Sequence, residues 1–203
     1  MHAGSLINLQ STIRDSIEVK SLLLADLKQL DVLSSLITQM VKVYKNGNKV
    51  MFAGNGGSAA DAQHLAAEFV SRFEFDRPGL PAISLATDTS MITAIGNDYG
   101  YERLFLRQLQ AQARPGDLFI GLTTSGRSPN VVMAFDACKD LEVTSAALCG
   151  LGGELEERVD YLIRVPSQHT PRIQECHILI GHMICAAVES EIFGHLDPNK
   201  NAV

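Results

Sequence analysis

A chain of 203 residues with 46% apolar and 20% charged side chains has the size and make-up of one folded domain with a full core, and excludes a disordered or low-complexity protein. Its formal net charge of −6, with no basic stripe, argues against a nucleic-acid partner and leaves any anionic ligand to be held by local donors. No apolar run reaches the roughly 18 residues that would indicate a membrane span, and the polar sequence after Met1-His2-Ala3-Gly4 is not expected to be a signal peptide.

Leu6, Leu9, Ile13, Ile17 and Leu24 recur at helical spacing, as do Leu33, Leu36, Ile37, Met40 and Val43. They predict two helices within residues 5–46, the second closed by Asn46-Gly47-Asn48. This pair has no sheet of its own and is expected to pack on the domain or on a second subunit. From there strands alternate with helices. Strands are predicted at 50–53, 82–85, 117–122, 143–148 and 161–165. Helices are predicted at about 58–73, 88–96, 101–113, 129–140 and 154–157, and a last one over 171–193 with proline in its first turn. Short apolar strands without alternation, separated by helices, imply a parallel sheet covered on both faces. The fold class is therefore α/β: a doubly wound, parallel, five-stranded sheet sandwiched by helices, with an N-terminal helical pair. The chain reads as a single domain, 1–203: helices to 46, sandwich over 47–194, and a tail at 195–203 that is a candidate for disorder. Cys138, Cys149, Cys176 and Cys185 have no CxxC spacing and are expected to be reduced, packed thiols of a cytoplasmic protein.

Two loops fall at the carboxyl ends of strands, where such sheets bind ligands. Gly54-Asn55-Gly56-Gly57-Ser58 follows the first strand and opens a helix. Glycines let backbone N–H groups converge on an anion, and the helix dipole points the same way. The loop is neither a GxGxxG fingerprint nor a Walker loop, which disfavours a dinucleotide. Thr123-Thr124-Ser125-Gly126-Arg127-Ser128-Pro129-Asn130 follows the third strand and also opens a helix. Its hydroxyls suit a phosphate; the plainer alternative is helix capping by Ser128. Arg127 is either a charge partner or a solvated side chain.

His64 and Glu68 lie four residues apart on one helix face, a spacing that binds a metal ion, sets a base beside an acid, or is a simple surface contact. The last helix carries Gln174, Glu175, His177 and His182. His182 lies in an apolar stretch, Ile178 to Ile184, and by pattern alone is as readily a packed core histidine as a site residue. Asn97-Asp98-Tyr99-Gly100 is expected as a turn on the ligand edge.

The runs Gly54 to His64, Gly96 to Gly100, Thr124-Ser125-Gly126 and Arg172 to His177 resemble the sugar-isomerase (SIS) superfamily, and within it the phosphoheptose isomerases, over about residues 5–193. That resemblance implies a homotetramer with sites at subunit interfaces. It implies conversion of D-sedoheptulose 7-phosphate to D-glycero-D-manno-heptose 7-phosphate, with zinc as cofactor, one per subunit. By matching motif the metal ligands would be His64, Glu68, Gln174 and His182. The substrate would meet Asn55, Gly56, Gly57, Glu68, Asn97, Asp98, Thr123, Thr124, Ser125, Ser128 and Gln174. Glu68 would be the base and His182 the acid, with Arg72 near the site. Thr123 stands where many members have serine, and Pro171 where some have aspartate. The rival within the superfamily is a non-catalytic partner of the replication initiator DnaA, which resembles the isomerases but lacks the equivalents of Glu68 and His182.

Overall fold

The computed structural model describes residues 3–198, with side chains from residue 8 onward. Helices α1 (Ala3–Ala25) and α2 (Leu27–Lys45) form the N-terminal pair. Asp26 separates them, its carboxylate accepting from Gln29 N at 3.1 Å as an N-cap. Then follow β1 (Val50–Gly54), α3 (Gly57–Val70), β2 (Ala82–Ser84), α4 (Thr89–Tyr99), a 3-10 turn (Tyr101–Arg103), α5 (Leu104–Gln112), β3 (Leu118–Thr123), α6 (Pro129–Cys138), β4 (Thr144–Cys149), β5 (Tyr161–Arg164) and α7 (Thr170–Phe193).

All strand pairs are parallel, in the order β2-β1-β3-β4-β5. Both faces of the sheet are buried, which is why the strands carry no polar alternation. Val50, Phe52, Ile120, Leu122 and Leu148 pack with α2, α3 and α7. Met51, Ala53, Phe119, Ala147 and Cys149 pack with α5 and α6 on the other side. The four cysteines are buried and free, as the sequence implies. Helix α1 lies at the edge of this sandwich: Leu23 joins the core with Val19 against it, Ser16 Oγ donates to Glu175 Oε2 at 2.6 Å, and Arg172 Nη1 donates to Thr12 O at 2.6 Å.

Several expectations need correction. The helix expected at 154–157 is a turn. Arg164 takes the carbonyls of Gly150, Gly152 and Gly153 and the Glu156 carboxylate, and Leu155 is buried, so the segment is pinned as a loop. Asn97, Asp98 and Tyr99 form the last turn of α4 rather than a loop, because the break comes at Gly100, φ +87°. The helix expected at 101–113 opens with the 3-10 turn. Helix α3 stops at Val70, three residues short of the expected end, where Arg77 captures its last carbonyls. Strand β3 starts after Asp117, whose carboxylate is taken by Lys49 N, Arg114 N and Asn48 Nδ2. His195 and Leu196 complete a short 3-10 turn, and the tail beyond 198 lies outside the described residues. Finally, Thr170–Leu196 is long and apolar enough to cross a membrane by length and composition, against the sequence expectation. Its Ile173, Cys176, Ile180, Ile184 and Val188 instead fill the core beneath the sheet.

Candidate active site

The chain passes from β1 outward to β2 on one side and returns to β3 on the other, so β1 and β3 flank the topological switch point. Their register pairs Gly54 with Leu122, and the loops after them open side by side into the crevice where such sheets bind ligands. Only Asn55 and Gly56 separate β1 from α3. The turn needs glycine: a Cβ on Gly54 would lie 2.6 Å from Ser58 O, and Gly56 has φ +56°.

Helix α3 carries His64 and Glu68 on one face, His64 Nε2 to Glu68 Oε1 being 3.3 Å. Helix α7 runs alongside and brings His182 Nε2 to 3.0 Å from His64 Nε2. Three contacts fix these helices together. At one end Gln174 rests on the first turn of α3, where a Cβ on Gly57 would be 2.5 Å from Gln174 Nε2. In the middle Gly181 permits close approach, since a Cβ there would be 2.4 Å from Leu65 Cδ2. At the far end Arg77 Nε donates to Glu189 Oε1 at 2.9 Å, while its Nη atoms donate to Glu68 O at 2.9 Å and Phe69 O at 2.7 Å. Burial raises the Glu189 pKa, but the amides of Phe73 and Glu74 and the Arg77 guanidinium outweigh it and hold the carboxyl below its usual range. The same strap lays Phe73 against the His182 ring, centroids 5.3 Å apart.

His64, Glu68 and His182 therefore meet, while Gln174 lies about two turns away on α7, against the start of α3. Their contacts are pairwise: among the described residues no three His, Cys, Asp or Glu side chains close a metal cage as they stand. The donor types, two imidazole nitrogens and a carboxylate oxygen, are nevertheless those zinc takes. The 3.0 and 3.3 Å separations come near the edge of a tetrahedral zinc site, ~3.3 Å for Zn–N bonds of about 2.0–2.1 Å. Asp61, one turn before His64, went unnoticed in the sequence. Its Oδ2 is buried without a hydrogen-bond partner, and burial raises its pKa against the opposing pull of His64.

On the second loop, Ser128 stands at the N-cap of α6, yet its hydroxyl makes no capping bond. It pairs with Thr123 Oγ1 at 3.1 Å instead, so no side chain caps this N-terminus; Val131 N donates to Ser128 O at 3.0 Å and Pro129 has no N–H, which leaves Asn130 N as the first-turn donor for an anion. Thr123 itself is 2% exposed, so it shapes the loop from beneath. Thr124 is half-buried and Ser125 exposed, its Oγ accepting from Arg127 N at 3.2 Å. The side chains of Arg127 and Arg72 are exposed. Asn97 and Asp98 are exposed and described only as bonded to each other, at 2.7 Å, so the structure does not join them directly to the rest. It adds two residues to which the sequence assigned no role, Asn130 at the end of the hydroxyl loop and Tyr101, both hydrogen-bonded to Asn55. The available signal was an amide set into the apolar first turn of α6, Pro129-Asn130-Val131-Val132.

Comparison with known proteins agrees with this fold. The SIS domain family matches residues 18–150. The chain is 57% identical to a phosphoheptose isomerase of Aneurinibacillus thermoaerophilus, over 91% of this chain and 94% of that protein. It is 58% identical to phosphoheptose isomerase 2 of Campylobacter jejuni, over 92% and 96%. Among solved structures, a phosphoheptose isomerase from Francisella tularensis superposes with TM-score 0.87 at 36% identity, covering 92% of this chain and 98% of that one. One from Neisseria gonorrhoeae gives 0.85 at 38%, covering 91% and 98%. Nothing here favours the non-catalytic alternative, since Glu68 and His182 are both present and in contact with the same histidine. A doubly wound sheet, the family match and identity of this extent over nearly the whole chain place the protein in the SIS-domain family, among its phosphoheptose isomerases.

Proposed function

We propose that the protein is an aldose–ketose isomerase converting D-sedoheptulose 7-phosphate to D-glycero-D-manno-heptose 7-phosphate. The observation that carries this reading is the meeting of His64, Glu68 and His182 on α3 and α7, with the loop that opens α3 bonded to the hydroxyl loop through Asn55 and Asn130. Thr124, Ser125, Ser128 and the first turn of α6 hold the phosphate, with Thr123 behind them. Asn55, Gly56, Gly57, Asn97, Asp98 and Gln174 line the sugar. Phosphate binding then serves to position the far carbons.

The reaction moves a proton from C1 to C2 through an enediol. Glu68 takes the C1 proton and returns it to C2, while His182 relays the hydroxyl proton from O1 to O2. Glu68 has two oxygens: Oε1 faces His64, and Oε2 is left to act on carbon. His64, Glu68, Gln174 and His182 would hold zinc, one ion per subunit. Bound there, zinc supplies Lewis-acid polarisation of the sugar carbonyl.

The same reading includes a cytoplasmic homotetramer whose product feeds the activated heptose of bacterial lipopolysaccharide. Leu9, Ile13, Ile17 and Leu24 on α1 are 57%, 61%, 58% and 72% exposed, an apolar stripe that supports assembly with further copies. Purified protein supplied with zinc is expected to convert sedoheptulose 7-phosphate, followed by NMR of the aldose product. Glu68→Gln is expected to lose about 10²–10⁴-fold in kcat. A wild type without turnover, or a Glu68→Gln variant with undiminished turnover, would overturn the reading.

A further inference from the structure

The glycine loop and the hydroxyl loop are joined by a reciprocal amide pair. Asn55 Nδ2 donates to Asn130 Oδ1 at 2.9 Å, and Asn130 Nδ2 donates back to Asn55 Oδ1 at 2.9 Å. A third donor comes from the 3-10 turn after α4, where Tyr101 OH donates to Asn55 Oδ1 at 2.9 Å. Asn130 is 2% exposed, too deeply buried to meet a substrate, whereas Asn55 is half-buried at the crevice.

An amide oxygen accepts two hydrogen bonds and an amide nitrogen donates two. Asn55 Oδ1 is therefore saturated by Asn130 and Tyr101. Its Nδ2 spends one proton on Asn130 and keeps the other. Asn55 thus meets the crevice as a single-proton donor with no accepting capacity left, suited to an oxygen that only accepts, such as a sugar carbonyl or the oxyanion of an enediolate. The pair also has mechanical meaning. Asn130 sits in the first turn of α6, the helix whose N-terminus closes the hydroxyl loop, while Asn55 belongs to the turn that starts α3.

We propose that Asn130, assisted by Tyr101, is a positioning residue: it holds Asn55 as a fixed donor toward the sugar and sets the spacing between the sugar-side and phosphate-side loops. This rests on the isomerase reading above. Binding energy from the phosphate reaches the reacting carbons only while that spacing is held.

The test compares Asn130→Ala and Tyr101→Phe with the wild type. In Asn130→Ala kcat is expected to fall about 10²-fold, the scale of a 1 Å misplacement. Inhibition by inorganic phosphate should stay within about twofold of wild type, because the loop's hydroxyls are untouched. Tyr101→Phe, at an exposed position where folding is not at risk, is expected to lower kcat about fivefold, the worth of one neutral hydrogen bond. The double variant should be no worse than Asn130→Ala, since both act through Asn55. Calorimetry with sedoheptulose 7-phosphate and inorganic phosphate reads the same coupling without turnover: the sugar's affinity advantage over phosphate should shrink about tenfold in Asn130→Ala. Unchanged kcat and an unchanged advantage in both variants would overturn the proposal. So would a phosphate affinity that falls in step with kcat, the mark of a merely structural role. A wild type that binds the sugar phosphate without turning it over refutes the isomerase reading and still lets calorimetry decide this one.

Discussion

His177 and His182 lie five residues apart on α7, about 140° around a helix that turns ~100° per residue, and their fates follow from that angle. His182 reaches the crevice, whereas His177 is 0% exposed, with neither ring nitrogen in hydrogen-bond geometry. Burial pushes the His177 pKa down to about 4, against a smaller upward pull from the nearby Cys149 backbone. Below pH ~6.5 the unfolded chain therefore takes up a proton that the native state refuses until about pH 4. Stability should be unaffected by this group above that window and should fall through it, by on the order of 3 kcal/mol in total. Urea denaturation at pH 7 and pH 5 should show the loss, and His177→Leu should flatten it; equal slopes in both proteins would remove His177 from the account. Glu189 and Asp117 add acid sensitivity of a separate kind: their folded pKa values are depressed, so their stabilisation is present at neutral pH and is lost only at lower pH, through the carboxylate range. The bare pattern of α7 left His182 open between core and site, because an apolar run with two histidines does not say which one faces inward.

Helices α3 and α7 carry the proposed catalytic groups, Glu68 and His182, and their mutual register rests in part on a buried ion pair far from both loops. The Arg77–Glu189 pair is 112 residues apart in sequence and about 1% exposed on both side chains. Removing one member of a buried pair strands the other charge. Glu189→Ala is expected to destabilise the fold by about 3–5 kcal/mol, measured by urea denaturation. It should also lower kcat, because Phe73 and the end of α3 lose their anchor while His64, Glu68 and His182 remain in place chemically. A variant with wild-type stability and turnover would show that Gly181 and Gln174 alone hold the helices. Helical periodicity located both helices, but not their exact ends. Where α3 stops depends on Arg77 reaching back to Glu68 O and Phe69 O, and the absent helix at 154–157 depends on Arg164 from the neighbouring strand. Such captures by distant arginines leave no trace in local spacing.

Across the molecule the largest departure from a closed monomer is α1, tied to α7 through Glu175 and Arg172 while its apolar stripe faces outward. If that stripe is the seam of the proposed tetramer, Ile13→Asp combined with Ile17→Asp should dissociate the assembly, as light scattering would show, and turnover should fall with it. A wild type that is already monomeric would refute the assembly. The order and type of nearly every element, the parallel sheet and the two ligand loops are legible in the chain, because period, glycine and strand length are local properties that tertiary packing here reinforces. The motifs also single out His64, Glu68 and His182, which the fold brings into pairwise contact. The Asn55–Asn130–Tyr101 linkage, the outward stripe of α1 and the burial of His177 without a partner became visible only with the folded chain. Each depends on which remote segment lies against which face, and a linear pattern carries no information about partners 46, 75 or 118 residues away.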